Sequence, residues 1–117
     1  MSPTQRSLKR LRDAGWLAEV VERWIPRINI RKDLFGCIDL LAIREGQPPL
    51  AIQTTTMSNR GSRIKKAGSL TAIQVWLATG SRFEVWAWRK LGNKYALART
   101  EFYVQDGRIA YGEVNEA

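Results

Sequence analysis

The chain has 117 residues, 44% of them hydrophobic, which suits one domain spanning residues 1–117 with a real core. It carries no histidine and one cysteine, which excludes Ser-His-Asp and Cys-His catalysis, zinc hydrolases, histidine-based nucleases, internal disulfides and multi-cysteine metal sites. Its 19 basic and 11 acidic side chains give a formal net charge of +8, favouring a polyanionic partner, nucleic acid before an acidic membrane.

From Thr4 to Ala14, Leu8, Leu11 and Ala14 recur at helical spacing, with Ser2 or Thr4 as N-cap and Gly15 as stop. Arg6, Lys9, Arg10 and Arg12 cover the rest of this helix. No apolar h-region follows this basic start and no run reaches the roughly 18–20 apolar residues of a membrane span. A cytoplasmic protein without a secretory signal is expected. Trp16–Ile25 alternates with period two and reads as one strand ending at Pro26, after which Arg27–Asp33 reads as a basic, extended arm.

Two apolar strands follow, Cys37–Arg44 and Leu50–Thr56, joined by Glu45-Gly46-Gln47-Pro48-Pro49. They are apolar on both faces, as central strands covered on each side are. Ser58-Asn59 offers caps for a basic helix over Arg60–Lys66, broken or kinked at Gly68-Ser69. Leu70–Thr79 is a second helix, with Leu70, Ile73, Trp76 and Leu77 on one face and Gly80 as its stop. Phe83–Trp88, Lys94–Tyr103 and Ile109–Tyr111 read as strands, the last two joined by a hairpin turn at Gln105-Asp106-Gly107-Arg108. The tail from Gly112 to Ala117 reads as frayed, and all five tryptophans read as core. This order predicts an α/β fold with a mixed central sheet flanked by helices on both faces.

The chemistry lies in the paired strands. Asp39 interrupts the first, while Gln53 and Thr55 share a face of the second. An unpaired polar group in such a strand costs about 2–7 kcal/mol, so these three demand partners. Glu22 is available as a second carboxylate, and Lys32, Lys65 or Lys66 as an ammonium on a long stem. Each has a purely structural alternative. Asp39 could accept backbone N–H groups of the 32–36 loop, Gln53 and Thr55 could bond each other, and Glu22 could pair with Arg23 or Arg31. Arg60, Arg63, Lys65 and Lys66 crowd the helix after the second strand, and Arg31 and Lys32 precede the first, a track for a nucleic-acid backbone. The helix N-terminus at residues 58–60 could hold a phosphate.

FGCID followed by IQTT resembles the PD-(D/E)XK, restriction-endonuclease-like nuclease superfamily, in particular its Holliday-junction-resolvase and phage-type branches. The resemblance covers roughly Ser7 to Trp88. It implies a three-layer core and a divalent-metal-dependent endonuclease acting on DNA, branched DNA included, with Mg²⁺ or Mn²⁺ as cofactor. It places Asp39 and Gln53 as metal ligands and Thr55 where the family has its lysine, and Glu22 is the available substitute for the second catalytic carboxylate that the altered pattern lacks. The pattern is altered, since Gln53 has no charge and Thr55 no ammonium. A catalytically inactive, nuclease-derived DNA-binding protein and a mobile-element interaction protein are therefore the alternatives. A homodimer stays open as the assembly state, because nucleases that cut two strands are often dimers.

Overall fold

A computed structural model describes residues 1–115. Helix α1 (Pro3–Asp13) starts on a reciprocal cap. Ser2 Oγ accepts the Gln5 N–H while Gln5 Oε1 accepts the Ser2 N–H, and Pro3 occupies the first turn. Gly15 (φ 89°) then reverses the chain in a backbone region that glycine adopts without strain.

The strands are β1 (Leu17–Val20), β2 (Arg23–Ile25), β3 (Ile30–Lys32), β4 (Leu40–Ile43), β5 (Leu50–Thr56), β6 (Arg82–Leu91), β7 (Lys94–Gln105) and β8 (Arg108–Glu113). Six of them form one mixed sheet in the order β1-β4-β5-β6-β7-β8. Only β5 and β6 run parallel, because α2 (Arg60–Ser69) and α3 (Thr71–Ala78) carry the chain across between them. Among the described residues, β2 and β3 pair only with each other.

Alternation sorts the core into two layers. Ala51, Phe83 and Val85 pack with Ile64, Ala67 and Ile73 of α2 and α3. Leu50, Ile52 and Trp86 pack with Leu11 of α1, Trp16, Leu40 and Ala42. Helices thus cover both faces, which accounts for the two-sided apolar strands, and the mixed α/β class expected from the sequence is the observed one. No helix among the described residues is long and apolar enough to cross a membrane.

Several boundaries differ from expectation, each for a local reason. The strand predicted over Trp16–Ile25 is two elements. Beyond Val20 the Val21 N–H donates to the Asp39 carbonyl, and the chain leaves the sheet. A turn at residues 26–29, with Asn29 at φ 57°, folds the predicted arm back as β3. Trp24 is consequently 50% exposed rather than core, whereas Trp16, Trp86 and Trp88 are buried. β4 begins at Leu40, because Phe35 (φ 53°) and Gly36 (φ 87°) close a tight loop fixed by the Leu34–Ile38 bridge.

Asn59 makes no side-chain cap at α2, which is preceded by a 3₁₀ turn over Met57–Asn59. α2 runs through Gly68-Ser69 and breaks at Leu70, whose ψ of 122° is extended. Gly112 and Glu113 belong to β8 and the Val114 N–H bonds Arg99, so this part of the predicted frayed tail is ordered strand. The rest of that expectation, residues 116–117, lies outside the described residues.

One polar contact pins α1 to the sheet. Buried Ser7 meets the Thr54 hydroxyl at 2.8 Å and accepts the Trp88 indole N–H at 2.8 Å. Ser7→Ala leaves that buried indole donor unpaired, so a loss of about 1–3 kcal/mol in urea unfolding is expected. A change below about 0.5 kcal/mol would mean the contact contributes nothing.

Candidate functional site

Asp39 stands at the entrance to β4 and is 6% exposed. Its backbone N–H donates to the Ile52 carbonyl at 2.9 Å, and its Oδ2 accepts the Thr54 N–H at 2.8 Å. A carboxylate here satisfies a β5 donor that a strand would otherwise pair with a carbonyl. The backbone N–H that this carboxylate accepts thus comes from β5, not from the 32–36 loop that the structural alternative named.

Two backbone bonds bring further acids to it. The Val21 N–H to the Asp39 carbonyl (2.8 Å) delivers the next residue, Glu22. The Leu34 N–H to the Ile38 carbonyl (2.9 Å) delivers the preceding residue, Asp33. Carboxylate oxygens of Glu22, Asp33 and Asp39 all lie within 4.8 Å of one another. Two charges at that distance repel by roughly 3–4 kcal/mol at an effective dielectric near 20. Burial above all, with the neighbouring Asp33 and Glu22 charges, pushes Asp39 up to about 8, against the pull of the Thr54 N–H. Glu22 also receives the Arg31 guanidinium at 3.1 Å, the partner expected for it if purely structural.

The cluster suits a hard divalent cation. Such ions take oxygen donors at about 2.0–2.6 Å, so donors on one ion stand roughly 3–5 Å apart, matching the spacing here. Three carboxylates also supply the negative charge that such an ion compensates. Sequence reasoning expected Asp39 and Glu22 to meet and missed Asp33, which it read as the end of an arm. The available signal was an acid six residues before Asp39 with Gly36 between them, a spacing that a tight loop closes.

Gln53 and Thr55 are buried on the α2–α3 face of β5, at 1% and 6% exposure. Gln53 Oε1 has no hydrogen-bond partner among the described residues, so the pair bond offered as its structural alternative is not made through this oxygen. It is an unused acceptor one residue from the backbone N–H that holds Asp39. Thr55 presents a hydroxyl where the resemblance expects an ammonium. Cys37 is buried, and burial pushes its thiol up to about 12 against the opposing Lys66 charge, so it is no nucleophile near neutral pH.

The basic residues divide. Arg31 and Lys32 are exposed on β3, and Lys65 and Lys66 are exposed on α2, with Arg63 half-buried. Arg60 turns away from this track toward β7 and β8. Its Nη2 donates to Thr100 Oγ1 at 3.2 Å and Glu113 Oε1 at 2.7 Å. Against protein-family models, curated proteins and solved structures, the chain has no match.

Proposed function

We propose that the chain is a cytoplasmic, DNA-acting protein of the PD-(D/E)XK, restriction-endonuclease-like type, a divalent-cation-dependent endonuclease hydrolysing phosphodiester bonds. The carboxylate trio of Glu22, Asp33 and Asp39 carries this reading, because like charges so close are tolerated best when a cation joins them. Support also comes from the mixed sheet with helices on both faces, and from the net charge of +8.

Glu22, Asp33 and Asp39 would hold Mg²⁺ or Mn²⁺, with Gln53 Oε1 as a neighbouring neutral acceptor. Such an ion polarises phosphate and activates water. The chain's own part is positional. The Thr54 N–H and the Ile52 carbonyl fix Asp39, and the Arg31 pair fixes Glu22. Lys32, Lys65, Lys66 and Arg63 supply cations for the DNA backbone. Branched DNA is the substrate class suggested by the resemblance.

A second reading, a nuclease-derived DNA-binding protein without cleavage, is favoured by Thr55, which brings no ammonium to the place of the family's lysine. One experiment separates the two. Plasmid, linear duplex and four-way-junction DNA are incubated with the protein in Mg²⁺ and in Mn²⁺, beside Asp39→Ala. Cleavage that falls more than about 100-fold in the variant is expected. Salt-dependent binding without cleavage in either metal selects the second reading. Absence of nucleic-acid binding at low salt sinks both and leaves an interaction protein.

A further inference from the structure

The β2–β3 ribbon serves neither core. Among the described residues, its two strands take part in no sheet but their own, and all of residues 23–32 but Ile25 are exposed. Trp24, Ile28 and Ile30 show 50%, 59% and 52% of their surface to solvent. The segment carries Arg23, Arg27, Arg31 and Lys32 and no acid. Register places Trp24 with Arg31 on one face and Arg23, Ile25, Ile30 and Lys32 on the other. Both faces are thus cationic and apolar together, which matches a polyanion that also offers apolar surface. A groove of a nucleic-acid duplex has that character, with phosphates at its rim and base edges on its floor.

We propose that this ribbon enters the major groove of duplex DNA and holds the carboxylate trio against the phosphates at the groove's rim. The inference rests on the DNA reading above and specifies the form of nucleic acid. The dimensions agree. Three residues per strand at about 3.3 Å each, with the turn beyond them, give a reach of roughly 10 Å. The major groove is about 12 Å wide and 8.5 Å deep and admits a two-stranded ribbon. With the tip residues Arg27, Ile28 and Asn29 on the floor, the cross-strand pair Arg23 and Lys32 stands at rim height. Glu22 and Asp33, the next residue at each foot, then stand beside the backbone. The deep, narrow major groove of A-form RNA closes this route, so duplex RNA is a poor partner.

The test is fluorescence anisotropy with a labelled DNA duplex, an RNA duplex of the same sequence and single-stranded DNA, over a salt series in cation-free buffer. Wild-type protein should bind the DNA duplex at least about tenfold tighter than the RNA duplex. Arg27→Ala and Ile28→Ala should each weaken duplex-DNA binding about 5- to 10-fold, the second without altering the salt dependence. Lys32→Ala should lower the salt slope by about one. All three lie outside both cores, so their thermal midpoints should match wild type. Equal affinity for both duplexes overturns the proposal, as do tip variants that bind like wild type, and either result leaves the endonuclease reading standing. Tip variants that instead convert a dimer to monomer in light scattering overturn it in favour of a second copy as occupant. A wild-type protein that binds no nucleic acid overturns the groove proposal and the endonuclease reading together.

Discussion

Asp39→Asn should stabilise the cation-free protein at pH 8 and, at the same time, abolish its stabilisation by Mg²⁺ or Mn²⁺. An ordinary aspartate titrates near 3.8, whereas folding pushes Asp39 up to about 8. The folded state therefore holds the proton more tightly than the unfolded chain does. That contribution is fully present below pH 3.8 and is lost as pH rises through about 8. Asparagine keeps an oxygen for the Thr54 N–H but has nothing to ionise, so the difference between the two proteins isolates this one group. In cation-free buffer, the variant should gain on wild type progressively across this window. Each kcal/mol corresponds to roughly 4 °C in thermal midpoint for a domain of this size. A cation that binds only the folded form at 100 times its dissociation constant returns about 2.7 kcal/mol to wild type. The variant, with one carboxylate fewer, should show little of this. Midpoints from thermal melts between pH 4 and 9, with and without metal, decide the matter. Parallel profiles for the two proteins would mean that Asp39 does not ionise against its neighbours.

The sheet was legible because its strands announce themselves by composition and punctuation. Leu50–Thr56 is bounded by Pro49 and by the polar run after Thr56, and the observed β5 has those limits. Asp106-Gly107 joins β7 to β8 with both residues at positive φ, as a two-residue hairpin requires. The ribbon was not legible for a physical reason. Alternation continues across Val21-Glu22 although the hydrogen-bond partner changes there, from β4 to β3. Periodicity reports which face a residue takes and says nothing about which strand pairs with it. The same blindness hid Asp33, whose place beside Asp39 depends on the Leu34–Ile38 bridge and two consecutive positive φ angles. Phe35 is not a residue from which such a conformation is read. Asp39 was found because it interrupts an apolar run, and Glu22 because it is the carboxylate on the strand expected beside it. Asp33, following Arg31 and Lys32, breaks none.

The second large effect is expected at Glu84, and it separates a structural acid from the candidate site. Glu84 is fully buried on β6, on the α1 face, and each of its two oxygens already accepts two hydrogen bonds. Arg99 holds it in two-pronged fashion, Nε to Oε1 at 2.7 Å and Nη2 to Oε2 at 3.0 Å. Arg82 Nη2 donates to Oε2 at 2.9 Å and the Trp86 indole N–H to Oε1 at 2.9 Å. Two guanidinium groups and an indole thus compensate one carboxylate, whereas three carboxylates crowd at Asp39. Removing one member of a buried charged set is costly because the others stay behind, desolvated. Glu84→Ala should therefore lose about 3–5 kcal/mol in urea unfolding at pH 7. Arg82→Ala should lose less, because its side chain is 30% exposed and Glu84 keeps Arg99 and the Trp86 indole as partners. Neither change should alter the dependence of stability on Mg²⁺, since neither touches the trio. A Glu84→Ala loss below about 1 kcal/mol, or a changed metal response in that variant, would mean that the two acidic centres are not independent.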